Sequence, residues 1–86
     1  MELEQLKIFI AVAESGSFTK GAEKLYISHS TTSRTVSALE EELGLRLFER
    51  GNRIAALTEA GELLKKGAAR LIETENELKN QLAALK

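Results

Sequence analysis

The chain has 86 residues, with neither cysteine nor proline, and 43% of the residues are hydrophobic and 29% charged. This length allows one small domain and leaves little room for an enzyme pocket, and the lack of cysteine excludes a disulfide framework or a thiolate metal site. The formal net charge is -1, but residues 17–37 and 46–53 each hold three basic residues against one acidic residue, and a phosphate backbone responds to such local charge. No apolar run approaches the roughly 18 residues of a membrane span, so we expect a soluble, cytoplasmic, mainly helical protein that is not membrane-bound.

Residues 1–28 predict two helices joined by a short turn. Apolar residues recur at helical spacing in the range Leu3–Ala13, which indicates a first helix with a broad buried face. Gly16 suits the position just past the end of this helix, and Ser17 is a good N-cap for a second helix over about Phe18–Leu25. A tight connection follows, after which Ser28 can cap a third helix.

The third predicted helix has one apolar face and one hydroxyl-rich face. The apolar face follows the spacing i, i+4, i+7 and i+11 and consists of Thr32, Val36, Leu39 and Leu43. The opposite face is centred on Ser30, Ser33, Arg34 and Ser37. Seven of the ten residues 28–37 are Ser or Thr, which are mediocre helix formers, so a polar loop over residues 28–35 is the alternative. The apolar stripe and the cap favour the helix, which Gly44 ends.

Residues 45–57 change to an alternating pattern around Gly51 and Asn52, which predicts two short strands joined by a hairpin turn.

Thr58 can then cap a long final helix that reaches the C-terminus. Leucines at heptad-like spacing, interrupted at Glu75, form a candidate dimerisation seam: Leu64, Leu71, Leu78, Leu82 and Leu85. The alternative is that the first of these leucines pack on their own domain. Residues 58–85 would span about 40 Å at 1.5 Å per residue, so the distal leucines need a partner, and we expect a homodimer.

Three helices followed by a hairpin predict a mainly α fold: a winged helix-turn-helix over residues 1–58, with a linker and dimerisation helix over residues 59–86. A helix fits the major groove of double-stranded DNA, where Arg34 can bind guanine with both arms of its guanidinium group. Free N–H groups at a helix start favour phosphate. The candidate DNA-binding residues are therefore His29, Ser30, Ser33, Arg34 and Ser37 on the third helix, Ser17 and Thr19 at the start of the second, and Arg50 and Arg53 on the wing.

A set of residues with characteristic spacing runs without a gap from residue 1 to about residue 65. It consists of Leu3, Gln5-Leu6, Phe9, Val12-Ala13-Glu14, Gly16-Ser17-Phe18-Thr19, Ala22, Leu25, Ser28, Ser33-Arg34, Leu39-Glu40, Leu43-Gly44, Leu47-Phe48, Arg50, Leu57-Thr58 and Ala60-Gly61. This pattern resembles the N-terminal domain of LysR-type transcriptional regulators, and the remaining helix resembles the linker helix of that family. The resemblance implies a cytoplasmic bacterial regulator that binds an operator as a dimer through antiparallel linker helices and usually assembles into a tetramer.

The chain departs from the family pattern on both the recognition helix and the wing. His29 and Ser30 replace the usual Gln-Pro, and Thr32 replaces a branched apolar residue, so its hydroxyl needs a partner, for which we expect the carbonyl one turn back. Ile54 and Ala56 stand at positions where Arg is common. These differences predict an altered base preference and weaker, less salt-sensitive DNA binding than in a typical member.

The family also carries an effector-sensing domain after the linker helix, so we expect this chain to be the N-terminal fragment of a longer regulator rather than a natural short form. Because the wing carries few basic residues, the alternative function is that of a winged-helix interaction or dimerisation module with little DNA affinity. Arg34, on a face free of acidic residues, favours the DNA-binding function.

Catalysis and metal binding are not expected, because the chain has one His and neither Cys nor Asp. We likewise expect no cofactor and no small-molecule site in this fragment. The three glutamates at residues 40–42 read as a solvated face, and Tyr26 and the three phenylalanines read as core residues.

Overall fold

The computed structural model describes residues 1–51 and 54–86, and within these two ranges the chain is mainly α-helical. Its helices are α1 (Leu3–Ser15), α2 (Phe18–Lys24), α3 (His29–Leu43) and α4 (Glu59–Ala83). None of these helices combines the length and the apolar character that crossing a membrane requires, as far as the described residues go.

The three predicted N-caps and the predicted glycine ends of the first and third helices are confirmed by their geometry, whereas the last helix ends at Ala83 and not at the C-terminus. Each predicted N-cap accepts a hydrogen bond from the backbone N–H three residues later, at 3.2 Å for Ser17, 3.0 Å for Ser28 and 3.0 Å for Thr58. Gly16 and Gly44 follow α1 and α3 in the left-handed conformation, with φ of 70° and 69°. This conformation costs glycine no steric energy, which is why the two helices end there.

The core lies between α1, α3 and the segment that follows α3. Its buried members are Phe9, Val12, Val36, Leu39, Leu47, Phe48 and Ala55. Phe18 packs at the edge of this cluster, with its ring centroid 5.3 Å from that of Phe48. Thr32 is only 1% exposed, and its hydroxyl donates to the Ser28 carbonyl at 3.0 Å, which confirms the expected partner one turn back. The hydrogen bond removes most of the cost of burying a hydroxyl in the apolar stripe.

The expectation that Tyr26 is a core residue is wrong, because its side chain is 96% exposed. Tyr26 has φ of 57° and follows the end of α2, where its N–H donates to the Glu23 carbonyl while the Ile27 N–H donates to the Ala22 carbonyl. These two bonds are the pattern of a Schellman C-cap, whose left-handed residue is usually glycine. The backbone reversal at this cap directs the tyrosine into solvent.

The predicted two-stranded hairpin is also not what the structure contains. Residues 45–51 and 54–58 form a single antiparallel bridge, between Phe48 and Leu57, rather than two strands. Two N–H groups that a longer ladder would need are bound elsewhere: that of Ala56 donates to the Ile54 carbonyl at 2.9 Å, and that of Leu47 donates to the Glu40 carboxylate at 2.8 Å. We call residues 45–51 and 54–58 the wing segment.

Helix α4 packs along α1 in the antiparallel direction. Leu3 lines one groove with Leu78, and Ile10 lines another with Ala69, so the start of α1 meets the distal part of α4. Near the N-terminus of α4, Gly61 is buried against the wing segment and Ala68 is fully buried. The molecule measures 50 × 25 × 19 Å.

Candidate nucleic-acid interface

The exposed face of α3 carries the side chains expected to contact DNA. His29, Ser30, Arg34 and Ser37 are exposed and Ser33 is half-buried. The helix is held from behind by Thr32, Val36 and Leu39, which are buried. Nδ1 of His29 lies 3.5 Å from the Ser33 hydroxyl oxygen, so the two polar groups adjoin on the first turns. This face can therefore offer a guanidinium, an imidazole and hydroxyl groups to base edges.

The start of α2 lies beside the start of α3. The ring centroids of Phe18 and His29 are 6.3 Å apart, which brings the two neighbours Ser17 and Thr19 to the edge of the same surface. Thr19 is exposed, whereas Ser17 is half-buried and its hydroxyl oxygen already accepts the capping hydrogen bond from the Lys20 N–H. Thr19 is therefore the freer hydroxyl of this pair.

The wing segment meets the α3 face in a cleft of about 230 Å³. The cleft is lined by Phe18, His29, Ser33, Val36, Ser37, Glu40, Phe48, Glu49 and Arg50. Arg50 thus joins the candidate residues of α3 in one surface, and its charge can act on a ligand held there. Arg53, the second wing residue expected to contact DNA, lies outside the described residues.

Sequence reasoning missed the structural role of Glu40. Its side chain is 10% exposed, and Oε2 accepts hydrogen bonds from the backbone N–H of Leu47 at 2.8 Å and of Phe48 at 3.4 Å. The expectation of a solvated acidic face is therefore wrong for this residue, while Glu41 and Glu42 are exposed. A signal was available, because Glu40 stands four residues after the buried Val36 and so borders the apolar stripe.

The leucines of α4 divide between the core and the surface. Leu64 packs against the core, whereas Leu71, Leu78, Leu82 and Leu85 are exposed. Three further exposed leucines line a groove of about 360 Å³ with Leu71: Leu43, Leu45 and Leu63. Sequence reasoning placed Leu43 on the apolar face of α3, where it is 37% exposed, and did not select Leu63 because that residue lies off the heptad seam. These leucines form a contiguous exposed apolar surface on this side of the domain.

Among the described residues, no three or more His, Cys, Asp or Glu side chains are grouped so that they could hold a metal ion. The polar groups on the first turns of α3 are hydroxyls, one imidazole and one guanidinium, and the adjoining cleft adds Arg50 together with the carboxylates of Glu40 and Glu49. The fold and this face together define a helix-turn-helix protein with its second motif helix exposed for recognition.

Comparison with known proteins identifies the family. Residues 3–62 match the family model described as bacterial regulatory helix-turn-helix protein, lysR family. The chain belongs to this family, and it is the DNA-binding domain of a LysR-type regulator rather than an enzyme.

A curated relative and two solved structures are similar over most of this chain. The HTH-type transcriptional regulator BenM of Acinetobacter baylyi (strain ATCC 33305 / BD413 / ADP1) is 42% identical over 78 residues, which cover 91% of this chain and 26% of BenM. The chain thus spans about a quarter of the length of that relative. The crystal structure of a BenM DNA-binding domain in complex with benA site 1 DNA has a TM-score of 0.96 and 38% identity, and covers 100% of both chains. The crystal structure of a CbnR DNA-binding domain with DNA has a TM-score of 0.92 and 39% identity, and covers 99% of this chain and 98% of that one.

Proposed function

We propose that this domain binds an operator sequence in double-stranded DNA as a homodimer, with α3 in the major groove. The observation that carries the proposal is the exposed face of α3, on which Ser30, Arg34 and Ser37 present hydrogen-bonding groups to solvent. The similarity to two domains crystallised with DNA supports DNA as the ligand of this domain.

Each candidate residue has a role that follows from its chemistry. Arg34 reads guanine through two parallel hydrogen bonds, and His29, Ser30, Ser33 and Ser37 supply further donors and acceptors to base edges. Thr19 and Ser17 contact phosphate at the start of α2, and Arg50 and Arg53 on the wing contact the adjacent groove or the phosphate backbone. The wing thereby completes a winged helix-turn-helix over residues 1–58.

The dimer forms through α4, the linker helix over residues 59–86. The exposed leucines of its distal half, together with the groove beside Leu63 and Leu71, give each copy an apolar surface that a second α4 can cover. Two copies of α3 then enter successive major grooves of an inverted repeat. In a longer regulator, with an effector-sensing domain after α4, such dimers pair into tetramers in the cytoplasm.

The proposal is tested by selection from a random duplex library, followed by titration of the selected site against a scrambled duplex at two salt concentrations. We expect an inverted repeat bound about 10³-fold better than the scrambled duplex. No enrichment, with weak binding that disappears as salt rises, would instead favour an interaction and dimerisation module with little DNA affinity.

Replacing Arg34 with Ala examines base reading directly. The substitution should cost about 1–3 kcal/mol on the selected site and relax the preference at one base position, because one bidentate contact is lost. Lys66→Ala, which removes one positive charge from the exposed surface of α4, is the matched control and should leave that preference unchanged. An equal loss on every duplex would make Arg34 a phosphate contact instead of a base contact.

A further inference from the structure

Glu40 joins the recognition helix to two arginines of the wing segment through a single buried carboxylate. Its Oε1 lies 3.7 Å from Nη1 of Arg46 and 3.6 Å from Nη2 of Arg50. Its Oε2 accepts the backbone hydrogen bonds of Leu47 and Phe48. The guanidinium groups are largely exposed, whereas the carboxylate is not. Two cations that border the candidate DNA surface therefore share one anion of the protein itself.

The carboxylate cannot follow an arginine that moves away. Because two backbone N–H groups hold Oε2, the charge stays at the same place when Arg46 or Arg50 turns towards another anion. Ser37, one turn before Glu40 on α3, lines the same surface depression as both arginines, so a phosphate near Ser37 would lie within reach of them. Any such phosphate has to compete with Glu40 for the guanidinium groups.

We propose that Glu40 restrains Arg46 and Arg50 from binding phosphate indiscriminately, and so raises the preference of the domain for its operator over other DNA. The inference rests on the function proposed above. Non-specific affinity comes almost entirely from phosphate contacts, and a competing carboxylate lowers it. At the correct site, base contacts by α3 fix the duplex against the protein, and this position compensates for the loss of the internal ion pairs. Glu40 is thus a positioning residue that acts through the two arginines.

The test replaces Glu40 with Gln, whose amide oxygen can still accept the Leu47 N–H but carries no charge. Glu41→Gln is the matched control, because it removes the same charge from an exposed neighbour for which the structure gives no ion pair among the described residues. We expect Glu40→Gln to bind the scrambled duplex more tightly than wild type, by about 3–10-fold at low salt. Its plot of log affinity against log salt should be steeper by up to about 1.8, since each released arginine adds about 0.9. Affinity for the selected site should rise less, so the specificity ratio should fall.

Two results would overturn the inference. One is an equal change in affinity for the scrambled duplex in Glu40→Gln and Glu41→Gln, which would show that the effect comes from the net charge of the domain and not from the ion pairs of Glu40. The other is a loss of affinity for scrambled DNA by a Glu40→Gln protein whose circular dichroism and thermal unfolding match those of wild type.

Arg50→Gln provides a second route if Glu40→Gln does not fold, since it leaves the hydrogen bonds of Glu40 to the backbone intact. This variant should lower the salt slope on the selected site by about 0.9 and leave the slope on the scrambled duplex unchanged. Equal decreases on both duplexes would contradict the restraint by Glu40.

The same titrations separate this inference from the proposed function. Wild-type binding to the selected site tests operator recognition by itself. If wild type distinguishes no duplex, operator recognition fails, while a gain by Glu40→Gln on the scrambled duplex still supports the restraint and no gain overturns it.

Discussion

The two halves of α4 carry similar leucine spacing but have different surroundings. In the first half, Leu64 and Ala68 belong to the packing of the domain, and Gly61 lies against the wing segment. In the second half, Leu78 is 54% exposed and Leu85 is 83% exposed. The comparison teaches that a heptad pattern identifies an apolar stripe but not what covers it. Along this helix the surroundings of the stripe change from the domain's own core to solvent.

The largest effect on stability is expected from a substitution in the first half of α4, at Gly61. A Cβ atom added there would overlap the carbonyl oxygen of Leu47, a backbone atom that cannot turn aside as a side chain can. Gly61→Ala should therefore lower the free energy of unfolding by about 3 kcal/mol, measured by chemical denaturation.

Gly67→Ala, in the same helix, is the matched control for this substitution. A Cβ at Gly67 meets no atom within 4 Å, so the change should stabilise the monomer by about 0.5–1 kcal/mol through its better helix propensity. Similar losses in the two variants would mean that helix propensity, and not the approach to Leu47, determines the effect.

Substitutions in the second half of α4 are expected to change the dimerisation affinity rather than the free energy of unfolding. Replacing Leu78 and Leu85 with Ser should weaken the dimer by more than about tenfold, because each leucine would lose apolar burial against the partner. The unfolding free energy at low protein concentration should change by less than about 1 kcal/mol, since both side chains are already exposed. Sedimentation equilibrium measures the first quantity and denaturation the second.

Asn80→Ser is the control for the leucine variant, because it alters an exposed residue of the same stretch without removing apolar surface. Unchanged dimers in the double leucine variant would reject the seam assignment. Reduced DNA affinity together with monomer formation would support the proposed link between α4 pairing and operator binding.

The smallest effect is expected where the two halves meet, at Glu75. Its Oε1 lies 3.3 Å from Nζ of Lys7 on α1, and its Oε2 lies 3.8 Å from Nζ of Lys79. Both side chains of the Lys7 pair are partly exposed, so Glu75→Gln should cost no more than about 1 kcal/mol of unfolding free energy, and less at high salt.

Glu4→Gln serves as the control for Glu75, because Glu4 contacts the same lysine at 4.0 Å from a largely exposed position. A cost for Glu75→Gln that did not decrease with salt would show that the side chain stabilises the helix contact by packing instead of charge.

The helices and their ends could be predicted from the sequence because their causes are local. Capping by Ser17, Ser28 and Thr58 and termination at glycine depend on atoms within a few residues, and the buried stripe of α3 follows from helical periodicity. The exposed face of α3 follows from the same periodicity, which is why most of the candidate DNA surface could be selected in advance.

The errors concern groups whose partners are distant in sequence or whose direction depends on backbone geometry. Tyr26 looked apolar enough for the core, but a left-handed C-cap turns it outwards. Glu40 looked like part of a solvated run, but folding brings the backbone N–H groups of residues 47 and 48 to its carboxylate. The Leu47 N–H that binds Glu40 is also a donor that a β-ladder in the wing segment would have needed.

By itself, the sequence determined the order of the helices, their boundaries and the hydroxyl-rich face with Arg34, because periodicity and capping act within one or two helical turns. Only the tertiary structure decided which leucine of α4 packs against the core, how the wing segment is anchored and where Arg46 and Arg50 find their counter-charge. Those outcomes depend on which surfaces meet when α4 packs against α1 and when residues 45–51 and 54–58 pack against the helices before them. Contacts between segments so far apart in the chain are set by the packing of the whole domain, which no local pattern encodes.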